Sequence, residues 1–194
     1  MNSALVLGNG QSRLQLDLDQ CISRLPVYGC NALYRDFSPT VLVATDRPIA
    51  EEIQNSGYSR HNRFYTRRPL EGSGACVVPT QWKGWSSGPI AAALACVDGY
   101  SVVYLAGFDM GGVNGQFNNV YADTEFYKQS TDKPTFSGNW ARQFASLCEQ
   151  YPGVEFTRLV GDSTAPIEQF DRIKNFSHLP IDHFQSRLNN NGDI

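Results

Sequence analysis

At 194 residues, with 41% hydrophobic and 18% charged side chains, the chain has the composition of one globular domain and lies far from a disordered one. A formal net charge of −3 argues against nucleic acid as a partner, and no apolar stretch approaches the ~20 residues that a spanning helix requires. The cysteines (Cys21, Cys30, Cys76, Cys96 and Cys148) are odd in number and form no CxxC pair. Several sit in apolar runs, which predicts a reduced, cytoplasmic protein rather than a disulfide scaffold or zinc module. No basic-then-apolar leader pattern opens the chain, so no secretory signal is expected.

In chain order, the run Ala4–Leu7 predicts a buried strand that meets a tight turn at Gly8-Asn9-Gly10. Ser12 is a candidate cap for a helix carrying Leu14, Leu18 and Ile22 at helical spacing. Pro26–Cys30 predicts a second strand ending at Asn31, and 41–44 a third ending at Thr45-Asp46. Pro48 suits the first turn of a helix that runs to about Ser56 before Gly57. Phe64–Thr66 and Ala75–Val78 are weaker strand candidates. Ser86-Ser87-Gly88-Pro89 then precedes Ile90–Val97, a helix apolar on all sides until Asp98 and therefore expected against the sheet. Ser101–Ala106 predicts a strand closed by Gly107-Phe108-Asp109. Residues 111–136 are polar, Gly/Asn-rich and aromatic without a sustained period, the pattern of a functional loop, here expected as a mobile lid. A helix from about Asn139 to Gln150 and a strand at Val154–Thr157 follow. The tail, 164–194, reads as an appendage with weak helical patterning and a frayed end at 189–192.

Strands alternating with helices predict an α/β fold: one Rossmann-like domain over 1–194, with a mostly parallel sheet, helices on both faces and the lid-like loop. Open α/β sheets bind ligands beyond the carboxyl ends of their strands. Several strand ends here carry small or polar residues, which marks that edge as the site. Gly8 and Gly10 would let backbone amides approach a phosphate or nucleoside, although a tight turn alone would also explain them. The pattern is not the dinucleotide fingerprint, because Arg13 stands where a third Gly or Ala belongs and Asn31 ends the second strand where an acid is wanted. Asn9 and Asn31 offer donor and acceptor to a base or ribose, or cap turns. Asp46 and Asp109 could hold a ribose hydroxyl or Mg²⁺, or cap helices. Ser87 and Gly88 open a helix whose free N–H groups suit an anion, with Lys83 as the one cation nearby. The basic run Arg60, Arg63, Arg67 and Arg68 reads as a solvated loop, with a local basic patch as the alternative. Of the histidines, His61, His178 and His183, none lies in a nucleophile or metal motif.

Taken in order, Gly8-Asn9-Gly10-Gln11-Ser12, Cys30-Asn31, Thr45-Asp46, Ser86-Ser87-Gly88-Pro89 and Tyr104–Asp109 resemble the motif set of bacterial sialyltransferases that use CMP-sialic acid. They are also similar to the hydroxymethylpterin diphosphokinase-like family, which shares that Rossmann-like core. The likeness covers about the first 130 residues. It implies a nucleotide site at Asn9, Gly10, Asn31, Ser87 and Gly88, with Tyr121 and Tyr127 as loose equivalents of loop tyrosines that contact the phosphate. The sialyltransferases carry a His base in the segment after that loop, and residues 139–150 here contain none. The diphosphokinase-like branch implies ATP and Mg²⁺ near Asp46 and Asp109.

The expectation is therefore a transferase acting on a nucleotide-activated donor, most simply a sugar nucleotide. Gly8, Asn9, Gly10, Ser12, Asn31, Asp46, Ser87, Gly88, Tyr121 and Tyr127 are expected at the nucleotide, with Asp109 and His183 as candidate catalytic groups. No protein metal site is expected; Mg²⁺ is the one cofactor admitted. The alternatives are a nucleotide-binding protein without turnover and a Mg²⁺-dependent diphosphotransferase. Self-association and the acceptor are left open.

Overall fold

A computed structural model describes residues 2–190. Eight parallel strands form one sheet: β1 (Ser3–Leu7), β2 (Val27–Cys30), β3 (Val41–Ala44), β4 (Phe64–Thr66), β5 (Cys76–Val77), β6 (Val102–Ala106), β7 (Glu155–Val160) and β8 (Phe176–Pro180), in the order β5-β4-β3-β2-β1-β6-β7-β8. The central strands are apolar throughout because both faces are covered. Ala4 and Val6 face a layer formed by α3 (Ser87–Val97) and α4 (Gly138–Gln150). Leu5 and Leu7, one residue out of phase, face α1 (Leu18–Arg24), α2 (Arg47–Asn55) and α5 (Ile181–Asn189). This is the expected α/β architecture, and the sheet is wholly parallel. No helix is long and apolar enough to cross a membrane among the described residues.

Two expectations need correction. The tail is no appendage: β8 pairs with β7 from Phe156↔Phe176 to Val160↔Pro180, and α5 sinks Ile181, Phe184 and Leu188 into the core. Its strand was missed because β8 is an edge strand whose burial is confined to Phe176 and half of Leu179. Of its expected frayed end, 191–192 lie outside the described residues. The single helix expected after Ser12 is a 3₁₀ turn at Gln11–Gln15 and then α1, with Asp17 as the N-cap accepting from the Gln20 amide. Leu14 is 69% exposed, so its helical spacing with Leu18 and Ile22 marks no buried face.

One ion pair ties the amino-terminal edges of the sheet together. Arg63, just before β4, donates to both oxygens of Asp98, which caps the end of α3 and also accepts from the Tyr28 hydroxyl. Burial acts to raise the Asp98 pKa, but the Arg63 and Tyr28 hydrogen bonds outweigh it and hold the group below its ordinary value. A carboxylate with a depressed folded-state pKa contributes stability that is present above its unfolded pKa and lost as the pH falls through the folded one. Arg63→Gln is therefore expected to lower the melting temperature at neutral pH and to flatten the acid limb of its pH dependence. A variant whose acid limb superimposes on that of the native chain would remove this pair from the acid response.

Candidate functional site: a cleft at the carboxyl edge

The strand order reverses between β1 and β6, and loops leaving there must part in opposite directions. The cleft that results is open to solvent and spans about 930 Å³ with its solvent-filled mouth included. The turn after β1 and the turn after β6 form its floor. Gly8 and Gly107 pack back to back, and a Cβ on Gly8 would stand 2.5 Å from the Gly107 carbonyl oxygen. A Cβ on Gly10 would stand 2.5 Å from the Asp109 carboxyl carbon. These glycines thus serve close approach within the protein, whatever they also offer a ligand.

Asn31, at φ +55°, turns the chain sharply after β2 in a conformation that asparagine tolerates better than most residues. Its side-chain oxygen accepts from the Ser87 hydroxyl at 3.1 Å, leaving its NH2 group without a partner among the described residues. The Ser87 oxygen in turn accepts from the Thr45 amide at 3.0 Å and lies 3.0 Å from the Thr45 hydroxyl. Ser87 therefore knits the ends of β2, β3 and α3 together, and its hydroxyl has no valence left for a ligand. Its amide does: among the described residues the Ser87 and Gly88 amides donate to nothing, Pro89 has no N–H, and the first helical hydrogen bond is Ile90 to Ser86 at 3.2 Å. The Cβ-free side of Gly88 is covered by the Phe108 ring, 2.5 Å from where a Cβ would lie, so an anion cannot approach the backbone from that side.

Gly8, Asn9, Gly10, Asn31, Asp46, Ser87, Gly88 and Asp109 all line the cleft, whereas Ser12, Tyr121, Tyr127 and His183 do not. Ser12 is buried and gives both its amide and its hydroxyl to Asp109. The Tyr121 hydroxyl accepts from Arg13 at 2.8 Å and donates to Asp36; the Tyr127 hydroxyl accepts from Ala32 N at 3.2 Å and lies 3.5 Å from Asn9 Nδ2. Both tyrosines thus brace the site from behind, their phenols pushed to high pKa first by burial. His183 is exposed on the first turn of α5. Arg13, standing where a dinucleotide site has a small residue, is a buried brace that donates to Gly8 O at 3.2 Å, Asn9 Oδ1 at 3.0 Å and Asp36 at 3.0 Å.

Asp109 is buried, and its carboxylate accepts from Ser12 N at 3.0 Å, Asn118 Nδ2 at 2.9 Å and the hydroxyls of Ser12 and Ser163. The backbone carbonyls on either side of its amide, Phe108 O and Asp109 O, are held by the buried Arg158 at 2.9 and 3.0 Å. So many donors leave no lone pair facing a reacting group; this geometry makes Asp109 a structural hub rather than an acid–base group. With Asp109 occupied in this way, Asp46 lacks the second open carboxylate that the Mg²⁺-dependent diphosphotransferase reading pairs with it. Among the described residues no three His, Cys, Asp or Glu side chains converge as a metal cluster. Asp46 is the contrast: it sits at the N-cap of α2 yet caps nothing, and its carboxylate accepts no hydrogen bond among the described residues.

Residues 111–136 are tethered where they cross the cleft. Asn118 accepts from Gln11 N at 2.8 Å as well as donating to Asp109, and Val120 N donates to Asn9 O at 2.8 Å. The expected lid is thus pinned at its middle, with Phe117, Asn118 and Asn119 lining one wall and Pro134 and Thr135 another.

Arg67, which the sequence reading placed in a basic run of solvated-loop character and not at the site, is the only basic side chain lining the cleft among the described residues; Lys83 does not line it. It donates from Nη2 to Trp85 O at 2.8 Å, and its Nε is buried without a partner. A signal was available, because β4 ends at Thr66 and the strand-end rule applied to β1, β2, β3 and β6 places the next residue at the same edge. Arg63 precedes β4 and lies at the opposite edge, so one basic run serves two ends of the sheet. No family model matches the chain, and no curated protein or solved structure matches it.

Proposed function

We propose that this cleft binds a nucleotide-activated donor, most simply a sugar nucleotide, and that the chain is a glycosyltransferase-like enzyme. The observation that carries the reading is the convergence, at the strand-order reversal, of two unpaired helix-start amides, the Arg67 guanidinium and the open NH2 of Asn31. Amides and guanidinium suit a phosphate, while the asparagine amide suits a base or ribose. The ordered resemblance to CMP-sialic-acid-dependent sialyltransferases supports the same class.

In the step this implies, an acceptor hydroxyl oxygen attacks the anomeric carbon. The bond from that carbon to the phosphate oxygen breaks, and its electron pair leaves on the nucleotide phosphate. The acceptor proton passes to Asp46, the one lining carboxylate with open valences among the described residues. The Ser87 and Gly88 amides and Arg67 stabilise the leaving phosphate, which carries more charge in the transition state than in the donor.

Calorimetric titration with cytidine, uridine, guanosine and adenosine nucleotides and their sugar conjugates tests this. One base series is expected to bind, and Arg67→Gln is expected to weaken it roughly 10- to 100-fold, as loss of a hydrogen bond to a charged group does. If none of the series binds, the nucleotide reading fails. The second reading, a nucleotide-binding protein without turnover, is favoured by the saturation of Asp109 and the exposure of His183. It predicts binding with no release of free nucleotide from a sugar conjugate.

A further inference from the structure

A second cavity, about 560 Å³ with its solvent-filled mouth included, opens beside the first and shares Thr45, Asp46 and Arg67 with it. Resting on the transferase reading above, we propose that this cavity is the acceptor subsite and that it selects a small hydroxylated molecule carrying a phosphate monoester. Asp46 stands in the wall common to both cavities, where a base must stand if it is to take a proton from an acceptor on one side while the donor lies on the other. Among the described residues Asp46 is also the only acid lining the second cavity without a cationic partner, since Glu51 pairs with Arg47 at 2.6 Å.

The remaining charge is positive. The Arg68 guanidinium makes no hydrogen bond or ion pair among the described residues, and Arg67, whose Nη2 is taken by Trp85 O, keeps an Nη1 without a partner among them. Two neighbouring guanidiniums with open donors match the oxygens of a phosphate better than they match a neutral sugar. The floor beneath them is rigid: Gln54, 3% exposed, donates to Ala50 O at 2.9 Å and Arg68 O at 3.5 Å and accepts from Leu70 N at 2.7 Å and the Ser73 hydroxyl at 2.9 Å. This buried amide fixes the backbone of Arg68 over the pocket, which explains why a polar side chain occupies an inward position of α2.

Titration of the full chain with glucose 6-phosphate, with glucose as the uncharged control, tests the subsite, read by calorimetry and by the arginine side-chain NMR signals. Glucose 6-phosphate is expected to bind and to shift Arg68, glucose to do neither, and Arg68→Gln to weaken the phosphate ester roughly tenfold. The exposed position of Arg68 leaves the fold of that variant intact. Binding that ignores Arg68→Gln, equal binding of glucose, simple displacement by the nucleotide, or no binding at all would each overturn the subsite. Nucleotide affinity is measured separately. A chain that binds no nucleotide but holds glucose 6-phosphate through Arg68 keeps an anion pocket and loses the donor reading; the reverse result loses only the acceptor subsite.

Discussion

Asp46→Asn is expected to lower turnover of a sugar nucleotide roughly 10²- to 10⁴-fold, the usual contribution of a positioned general base. Affinity for the nucleotide itself should not weaken, because the substitution removes a negative charge next to the phosphate position and breaks no hydrogen bond within the protein. The two effects separate kcat from binding, which a merely structural aspartate would not do. Asp46 does not cap α2, so the melting temperature should also hold. Release of free nucleotide from the sugar conjugate, followed under single-turnover conditions, provides the rate. A variant with native turnover removes Asp46 as the base. A native chain that binds the conjugate and never cleaves it places the protein with the non-catalytic binders.

The largest effect on stability is expected at Asp109. Its carboxylate joins the turn after β1 through Ser12, the loop across the cleft through Asn118 and the segment after β7 through Ser163. Asp109→Ala leaves these buried donors without an acceptor, at a cost of ~3 kcal/mol or more, or roughly 6–12 °C in melting temperature for a domain of this size. Asp109→Asn is nearly the same shape, but it turns an NH2 group towards hydroxyl and amide donors, so it should recover little of the loss. Thermal denaturation of the two variants decides between two roles. A structural hub predicts that both melt well below the native chain. A catalytic Asp109 predicts an asparagine variant with native melting and little turnover.

The same geometry alters what substitution of Ser87 should do. As a helix cap pointing at solvent, it could accept an aspartate that folds normally and repels phosphate. In the fold it is 4% exposed and donates to Asn31, so aspartate there would bury a charge and set two acceptors face to face. The Arg67 variant is the cleaner probe of the phosphate position, since it faces the cleft.

The architecture and the edge that holds the cleft were legible from periodicity and punctuation alone. Short apolar runs such as 41–44 can be satisfied only by burial on both faces, and residues such as Asn31 and Gly107-Phe108-Asp109 mark where those runs stop. Local chemistry could place Gly8, Asn9, Asn31, Asp46 and Ser87 at one edge because that inference needs only the strand ends and the start of α3. It could not tell an open valence from a closed one. Asp46 and Asp109 look alike in the sequence, and only the arrival of Ser12, Asn118 and Ser163 from 97, 9 and 54 residues away closes one and leaves the other open. Tyr121 and Tyr127 likewise turned inward because Arg13 and Asn9, more than a hundred residues earlier, needed partners once buried. Hydrogen-bond saturation depends on which distant segments meet, and those meetings are decided by tertiary packing.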